Sequence, residues 1–137
     1  MRPNNRKKEY YLTDTINILY RKDCLIESVK LQDINEALGV NSRAELAKVN
    51  SIMQERINEK LMQEGVTLLS PKLSFISYGV KIGVETIIYP FTVIESNVKI
   101  GKRCFIGPFI HLREGTRLAD EALIGNFSEI VRSKIGF

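Results

Sequence analysis

The pattern of apolar positions in the second half of the chain repeats every six residues. One aliphatic residue occupies the same phase from residue 76 onward without a miss: Ile76, Ile82, Ile88, Ile94, Ile100, Ile106, Leu112, Leu118, Ile124 and Ile130. A helix repeats near every 3.6 residues and a single strand alternates every two, so neither explains the pattern. A period of six indicates a solenoid of short strands and turns, whose nine hexads make three coils if each coil has three sides.

The other phases of the repeat support a tightly wound coil. Glycine follows the aliphatic residue in several hexads, where it permits a tight backbone path. Four positions after each aliphatic residue, most side chains are small or β-branched, which predicts a second inward row: Thr86, Thr92, Val98, Cys104, Ile110, Thr116, Ala122, Ser128 and Lys134. Asn97 and Gly115 share a phase that tolerates left-handed backbone. Pro90 and Pro108 share a phase that is typical of bends.

A helix is predicted upstream of the repeat, over residues 43–64. Ser42 and Glu45 form a capping box, and Gly65 is a plausible stop. Apolar residues between them recur at helical spacing: Leu46, Val49, Met53, Ile57 and Leu61. A helix of this length is a rigid arm that leads into the repeat.

The first forty residues carry mixed signals. Thr13 or Asp14 is a candidate cap for a short helix, residues 24–29 alternate partly as a strand would, and residues 33–38 suggest a helical turn. A segment of this size cannot bury a core by itself. We therefore interpret it as the end of something larger.

Composition excludes several classes of protein. Of the 137 residues, 44% are hydrophobic and 26% are charged, and no apolar run is long enough to span a bilayer or to follow the basic N-terminus as a secretory signal. Part of the net charge of +4 comes from Arg2, Arg6, Lys7 and Lys8. We interpret this basic cluster as a solvated tail rather than a nucleic-acid site. Two distant cysteines make no disulfide framework, and Cys24 and Cys104 are both expected to be buried. A cytoplasmic protein is the default expectation.

Four short motifs resemble one bacterial enzyme family. These are EYYLTD at 9–14, GVNSR at 39–43, IGPFIHLREG at 106–115 and IGNFSE at 124–129. The order is similar to that in the bifunctional N-acetylglucosamine-1-phosphate uridyltransferase / glucosamine-1-phosphate acetyltransferases. The resemblance implies a mainly β fold, a left-handed parallel β-helix of hexapeptide repeats, behind a long linker helix and a small α/β remnant. It divides the chain into a nucleotidyltransferase remnant (1–42), a connecting helix (43–66) and the β-helix (67–137).

The same resemblance implies substrates, cofactors and partners. The family joins UTP to N-acetylglucosamine-1-phosphate with Mg²⁺, and it acetylates glucosamine-1-phosphate from acetyl-CoA in a trimeric β-helix. The product, UDP-N-acetylglucosamine, supplies peptidoglycan and lipopolysaccharide precursors. We expect a sugar phosphate or UDP-sugar to be bound weakly or not at all, Mg²⁺ not to be bound, a homotrimer, and neither nucleic acid nor membrane as a partner.

Two residues are candidate site residues on the strength of the resemblance. Asn41 matches an asparagine that holds the magnesium and the nucleotide, although it is also well placed merely to precede the helix. Arg113 matches an arginine that binds the sugar phosphate, a task that suits a guanidinium, although a solvated arginine is the other reading. Val131 departs from the family, which has a lysine there. Phosphate binding therefore depends on whether the side chain of Arg132 can reach the phosphate instead. His111 is expected to face solvent and not to act as a base.

Three functions remain open from the sequence. The first is a fragment or shortened relative of the bifunctional transferase, inactive alone because the nucleotide-binding loop and the coil with the catalytic histidine have no counterpart. The second is a non-catalytic trimeric β-helix that serves in assembly. The third is another sugar acyltransferase with a reduced β-helix.

Overall fold

A computed structural model describes residues 11–136, which divide into two compact units, residues 11–37 and residues 38–136. The first contains helix α1 (Asp14–Tyr20) and a 3-10 turn (Ile34–Ala37). The second contains helix α2 (Arg43–Gln63), a 3-10 turn (Pro71–Leu73) and all strands of the described chain. Within residues 11–136, no helix is at once long and apolar enough to cross a membrane. The basic cluster Arg2, Arg6, Lys7 and Lys8 lies outside the described residues.

The first unit forms both predicted helical turns but not the predicted strand. Residues 24–31 are irregular, with Leu25 88% and Val29 91% exposed, and Cys24 is exposed rather than buried. The prediction of a strand and of a buried Cys24 was wrong because an isolated strand has no neighbour to satisfy its backbone groups. None of residues 11–37 is buried, as expected for a segment too short to build a core.

Twelve short strands wind into three parallel sheets. They are β1 Thr67–Leu68, β2 Ser74–Ile76, β3 Lys81–Ile82, β4 Ile87–Ile88, β5 Thr92–Ile94, β6 Lys99–Ile100, β7 Phe105–Ile106, β8 His111–Leu112, β9 Arg117–Leu118, β10 Leu123–Ile124, β11 Glu129–Ile130 and β12 Lys134–Ile135. Sheet A contains β1, β4, β7 and β10, sheet B contains β2, β5, β8 and β11, and sheet C contains β3, β6, β9 and β12. Consecutive strands belong to different sheets, so the chain turns three corners in each coil. This is the predicted fold, a parallel β-helix of the left-handed hexapeptide type.

The period-six aliphatic residues form the core. From Ile76 to Leu112, each pairs in register with the aliphatic residue eighteen positions later, as Ile88 does with Ile106 and Ile94 does with Leu112. Ile88, Ile94, Ile106 and Leu112 are all fully buried. The second inward row is also confirmed through Ala122, and the hydroxyls of its buried Thr86, Thr92 and Thr116 all donate to backbone carbonyls. Cys104 is buried in this row, as predicted.

The corners use left-handed backbone at one position of every hexad. Positive φ recurs every six residues at Gly79, Glu85, Phe91, Asn97, Arg103, Phe109, Gly115, Glu121 and Phe127. The next such residue is Arg132, only five positions on, and Ile135 pairs with Leu118 one residue early. The turn after Ile130 is therefore one residue shorter. For this reason Lys134 was wrongly predicted to point inward, and it lies exposed opposite Arg117.

Helix α2 covers the open edge of the first coil with side-chain amides. The predicted capping box forms, since the Ser42 hydroxyl accepts the Glu45 backbone N–H at 3.2 Å. At the other end, the buried Asn58 amide donates to the Ser74 carbonyl at 3.0 Å and Gln54 donates to the Ile76 carbonyl at 3.1 Å. Ile94 is the equivalent of Ile76 in the second coil, and its carbonyl accepts a backbone N–H from the first coil. Two side chains of α2 thus replace the donors of a coil that is not there.

Candidate functional site

The corner between sheets B and C stacks three residues of one phase. Glu95 follows β5, Arg113 follows β8 and Val131 follows β11. Backbone bonds hold them in register, because the Glu95 N–H donates to the Leu112 carbonyl and the Arg113 N–H donates to the Ile130 carbonyl. The coil therefore places on one edge residues that are eighteen positions apart in the chain.

Arg113 lies between two carboxylates. Its Nη1 donates to Glu129 Oε1 at 3.1 Å, and its Nε lies 3.7 Å from Glu95 Oε1. The side chain is half exposed, so these contacts orient the guanidinium without removing it from solvent. Because a guanidinium carries five N–H donors, several remain available to a ligand after the bond to Glu129.

Glu95 is the most heavily bonded acid of the corner. Its Oε2 accepts the backbone N–H of Glu114 at 3.0 Å, and its Oε1 lies 2.9 Å from His111 Nε2. The Glu114 N–H keeps the pKa of Glu95 below its ordinary value, and His111 and Arg113 add smaller contributions in the same direction. Glu95 is thus a carboxylate that stays ionised and keeps its neighbours in place.

His111 faces outward from β8, as predicted, and its side chain also contacts two carboxylates. Its side chain is 38% exposed, with Nε2 bonded to Glu95 and Nδ1 3.9 Å from Glu129 Oε1. The sequence did not reveal these contacts because both carboxylates come from other coils. Both ring nitrogens are directed toward acids, so this histidine is part of the framework that surrounds Arg113.

A shallow cavity of about 370 Å³ opens at the same corner. It is lined by Glu95, Arg113, Glu114, Gly115, Val131 and Arg132. Arg132 has a φ of 45°, and its stem lies over Gly115, where an added β-carbon would come within 3.3 Å of Arg132 Cγ. The short turn after Ile130 therefore brings Arg132 to the cavity that Arg113 lines.

Asn41 lies apart from this corner, directly before α2. Its backbone N–H donates to Glu45 Oε2 at 2.7 Å, a bond that is the main cause of the lowered pKa of Glu45. The helix rises about 1.5 Å per residue, so some 25 Å of helix separate Asn41 from Asn58 at the coil edge. No group of three potential metal ligands among His, Cys, Asp and Glu occurs in residues 11–136. The residues around Asn41 thus do not fit a Mg²⁺ site by themselves, and its role in metal binding stays a prediction.

Sequence reasoning missed Glu95, Glu129 and the position of Arg132. The first was detectable in principle, since Glu95 precedes Arg113 by one full coil in the period-six pattern. Glu129 lies one strand position before Ile130, so its proximity to Arg113 also follows from the repeat. The position of Arg132 did not follow, because the shortened turn breaks the period.

The chain is similar to known proteins over about two thirds of its length. The chain is 44% identical over 92 residues to the Bifunctional protein GlmU of Acetivibrio thermocellus, which covers 67% of this chain and 20% of that protein. It is 49% identical over 92 residues, with the same coverage, to the Bifunctional protein GlmU of Thermosipho africanus and to that of Clostridium botulinum. The chain thus spans about a fifth of the length of these relatives. No family model matches the chain.

Proposed function

We propose, from the premise that this chain belongs to the GlmU family over the 92 residues it shares with those proteins, that Arg113 and Arg132 together bind the phosphate of a sugar phosphate. The family is the bifunctional uridyltransferase and acetyltransferase that the sequence resembles. Glucosamine-1-phosphate, the acceptor of the acetyl group in that family, is the ligand we assign to the cavity.

The chemistry of the corner suits a phosphate monoester. Guanidinium groups bind phosphate oxygens through charge-assisted, often paired hydrogen bonds. Glu95 and Glu129 hold Arg113 in one orientation, which reduces the entropy lost when a ligand is bound. The acids also repel a phosphate that approaches from their side, so the ligand is expected to contact the guanidinium edges turned away from them.

The observation that carries the proposal is the second arginine. Val131 stands where the family has a lysine, and a valine cannot bind phosphate. The shortened turn brings Arg132 to the cavity beside Arg113, so a cation one position later is available for the same task. Two cations at one cavity are what a doubly charged phosphate requires.

Replacement of either arginine tests the proposal. Arg113→Ala and Arg132→Ala are each expected to weaken the binding of glucosamine-1-phosphate about 10-fold to 100-fold, since a hydrogen bond to a charged group contributes about 1.5–3 kcal/mol. Isothermal titration calorimetry measures the dissociation constants. Arg103→Ala is the matched control, because Arg103 lies on another corner and pairs with Glu121. Equal affinity for glucosamine-1-phosphate in all three variants would contradict the proposal.

The remaining features of the family belong to the same proposal. They are acetyl transfer from acetyl-CoA, a uridylyl transfer that uses Mg²⁺, a cytoplasmic location, and a role in making UDP-N-acetylglucosamine. We include the expectation that these 137 residues alone catalyse neither reaction. It is supported by His111, whose two ring nitrogens are directed toward Glu95 and Glu129 rather than into the cavity that Arg113 lines.

A stacked aromatic column favours a second candidate, a trimeric assembly module. Phe91, Phe109 and Phe127 stack with ring centroids 4.8 and 4.9 Å apart, and they are 46%, 46% and 75% exposed. Exposed aromatic surface of this kind is typical of protein interfaces. We propose that further copies of the chain cover this aromatic column, in a homotrimer as the family resemblance implies.

Size measurements test the trimer. We expect light scattering after gel filtration to give three times the chain mass for the unchanged protein and the mass of one chain for Phe91→Ser/Phe109→Ser. Phe105→Ser is the control, because Phe105 is 42% exposed but lies on sheet A away from the column. A monomer in all samples, or a trimer that survives the double substitution, would refute the assigned interface.

A further inference from the structure

The outer face of sheet C carries a column of four cations. Lys81, Lys99, Arg117 and Lys134 occupy the outward position of β3, β6, β9 and β12, and all four are exposed. They are adjacent in register, since Lys81 pairs with Lys99, Lys99 with Arg117 and Arg117 with Lys134. We call this set the sheet C cation column.

The cations of this column repel one another. Neighbouring strands lie about 4.7–4.9 Å apart, and like charges directly opposite each other destabilise a sheet. Within residues 11–136, none of the four cations has a carboxylate at ion-pair distance. By contrast, Arg103 and Arg113 at the coil corners each contact a glutamate. The fold therefore tolerates three repulsive neighbour pairs on one face, an arrangement that an anionic ligand would relieve.

The surroundings of the column indicate the shape of that ligand. The position that follows each strand of sheet C is Gly83, Gly101, Ala119 or Gly136, so on that side of the column no side chain is larger than a methyl group. Acidic residues lie at both corners of the face, with Glu114 before β9 and Asp120 after it. A planar anionic membrane would meet these acids as well as the cations. A thin chain that lies along the column would not.

The chemistry of the face argues against a base-stacking ligand. Proteins that bind single-stranded nucleic acid combine cations with aromatic side chains on which bases stack. The outward residues of sheet C include no aromatic side chain, and the stacked phenylalanines lie at the corner between sheets A and B. Lysine ammonium groups bind phosphate as point charges without reading its substituents.

We propose that the sheet C cation column binds inorganic polyphosphate, with the phosphate chain lying along the coil axis across β3, β6, β9 and β12. This polymer is linear, has no side groups and is negatively charged at every unit, which matches a narrow line of closely spaced cations. The site lies on a different face from the aromatic column and does not depend on the function proposed for Arg113.

Salt dependence tests the electrostatic origin of binding. Fluorescence anisotropy with end-labelled sodium polyphosphate is expected to show that log K falls against log[KCl] with a slope of about −3, because each of four contacts on a flexible chain contributes roughly 0.7. The affinity then falls about fifty-fold between roughly 50 and 200 mM KCl. Binding that is insensitive to salt would overturn the proposal.

Substitution tests the location. Lys99→Gln/Arg117→Gln is expected to weaken polyphosphate binding at least tenfold and to halve the salt slope. The control Lys48→Gln/Lys60→Gln on α2 removes the same charge and is expected to leave the affinity and the salt slope unchanged. The column variant is also expected to melt at the same or a higher temperature, since it removes like-charge neighbours. Should it not fold, Lys81→Gln/Lys134→Gln at the ends of the column replaces it.

Two outcomes would overturn the assignment. One is equal affinity of the column variant and the unchanged protein for polyphosphate. The other is tighter binding of labelled oligothymidylate or of phosphatidylserine vesicles than of polyphosphate at the same salt concentration, which would assign the face to a nucleic acid or to a membrane.

Discussion

Gly101→Ala is expected to lower the free energy of unfolding of this 137-residue chain by about 1–3 kcal/mol, the usual cost of forcing extra volume into a packed site. A β-carbon on Gly101 would lie 2.5 Å from the backbone nitrogen of Asp120 and 2.6 Å from the Ala119 carbonyl carbon. Neither backbone atom can move without disturbing the bond from the Gly101 N–H to the Leu118 carbonyl, at 2.9 Å. Urea denaturation followed by circular dichroism measures the change.

Gly125→Ala is the matched control for this prediction. Gly125 occupies the same phase of the hexad, but an added β-carbon there meets nothing within 4 Å. Its φ is not in the left-handed region, so alanine is expected to leave the free energy of unfolding unchanged or to raise it by about 0.4–1 kcal/mol. The gain arises because alanine lowers the conformational entropy of the unfolded chain. If the two substitutions have the same effect, the stacking distance between coils at Gly101 is not as tight as described.

Asn58→Ala is expected to lower the free energy of unfolding by about 2–4 kcal/mol, since each buried acceptor that loses its donor costs about 1–3 kcal/mol. The Asn58 side chain is 2% exposed and donates to the Pro71 carbonyl at 2.7 Å and to the Ser74 carbonyl at 3.0 Å. It also accepts from Gln54 at 3.1 Å, so its loss weakens the second amide that covers the coil edge. The measurement is again urea denaturation.

Asn50→Ala provides the comparison on the same helix. Asn50 is exposed, and alanine favours a helix, so this change is expected to leave stability unchanged or slightly higher. Hydrogen exchange adds a local readout, because Asn58→Ala should speed exchange in β2 more than in β8. Equal protection of both strands in the variant would argue against an edge-covering role for α2.

The repeat was predictable because the coil demands the same residue type at every equivalent position. Inward positions such as Ile94 and Leu112 accept only aliphatic side chains, so the period is visible in the sequence without any tertiary information. The start of α2 was equally visible, because the Ser42 hydroxyl accepts the backbone N–H of Glu45 within one helical turn. The strand expected at residues 24–29 failed because pairing, unlike capping, needs a partner from elsewhere in the chain.

The candidate site was only half visible for a related reason. Arg113 was found by resemblance, but its partners Glu95 and Glu129 come from the coils before and after it, and Arg132 reaches the cavity only through a shortened turn. The sheet C cation column has the same origin. Lys81, Lys99 and Arg117 are one coil apart, whereas Lys134 joins them one residue early.

The amino-acid sequence by itself determined the coil, the inward rows and the helix before them, because these depend on periodic burial and on bonds within a few residues. Only the tertiary structure decided which charged residues are neighbours, how α2 covers the first coil and where Arg132 lies. Those features depend on contacts between coils. A single change in turn length shifts every later side chain relative to its equivalent in the preceding coil.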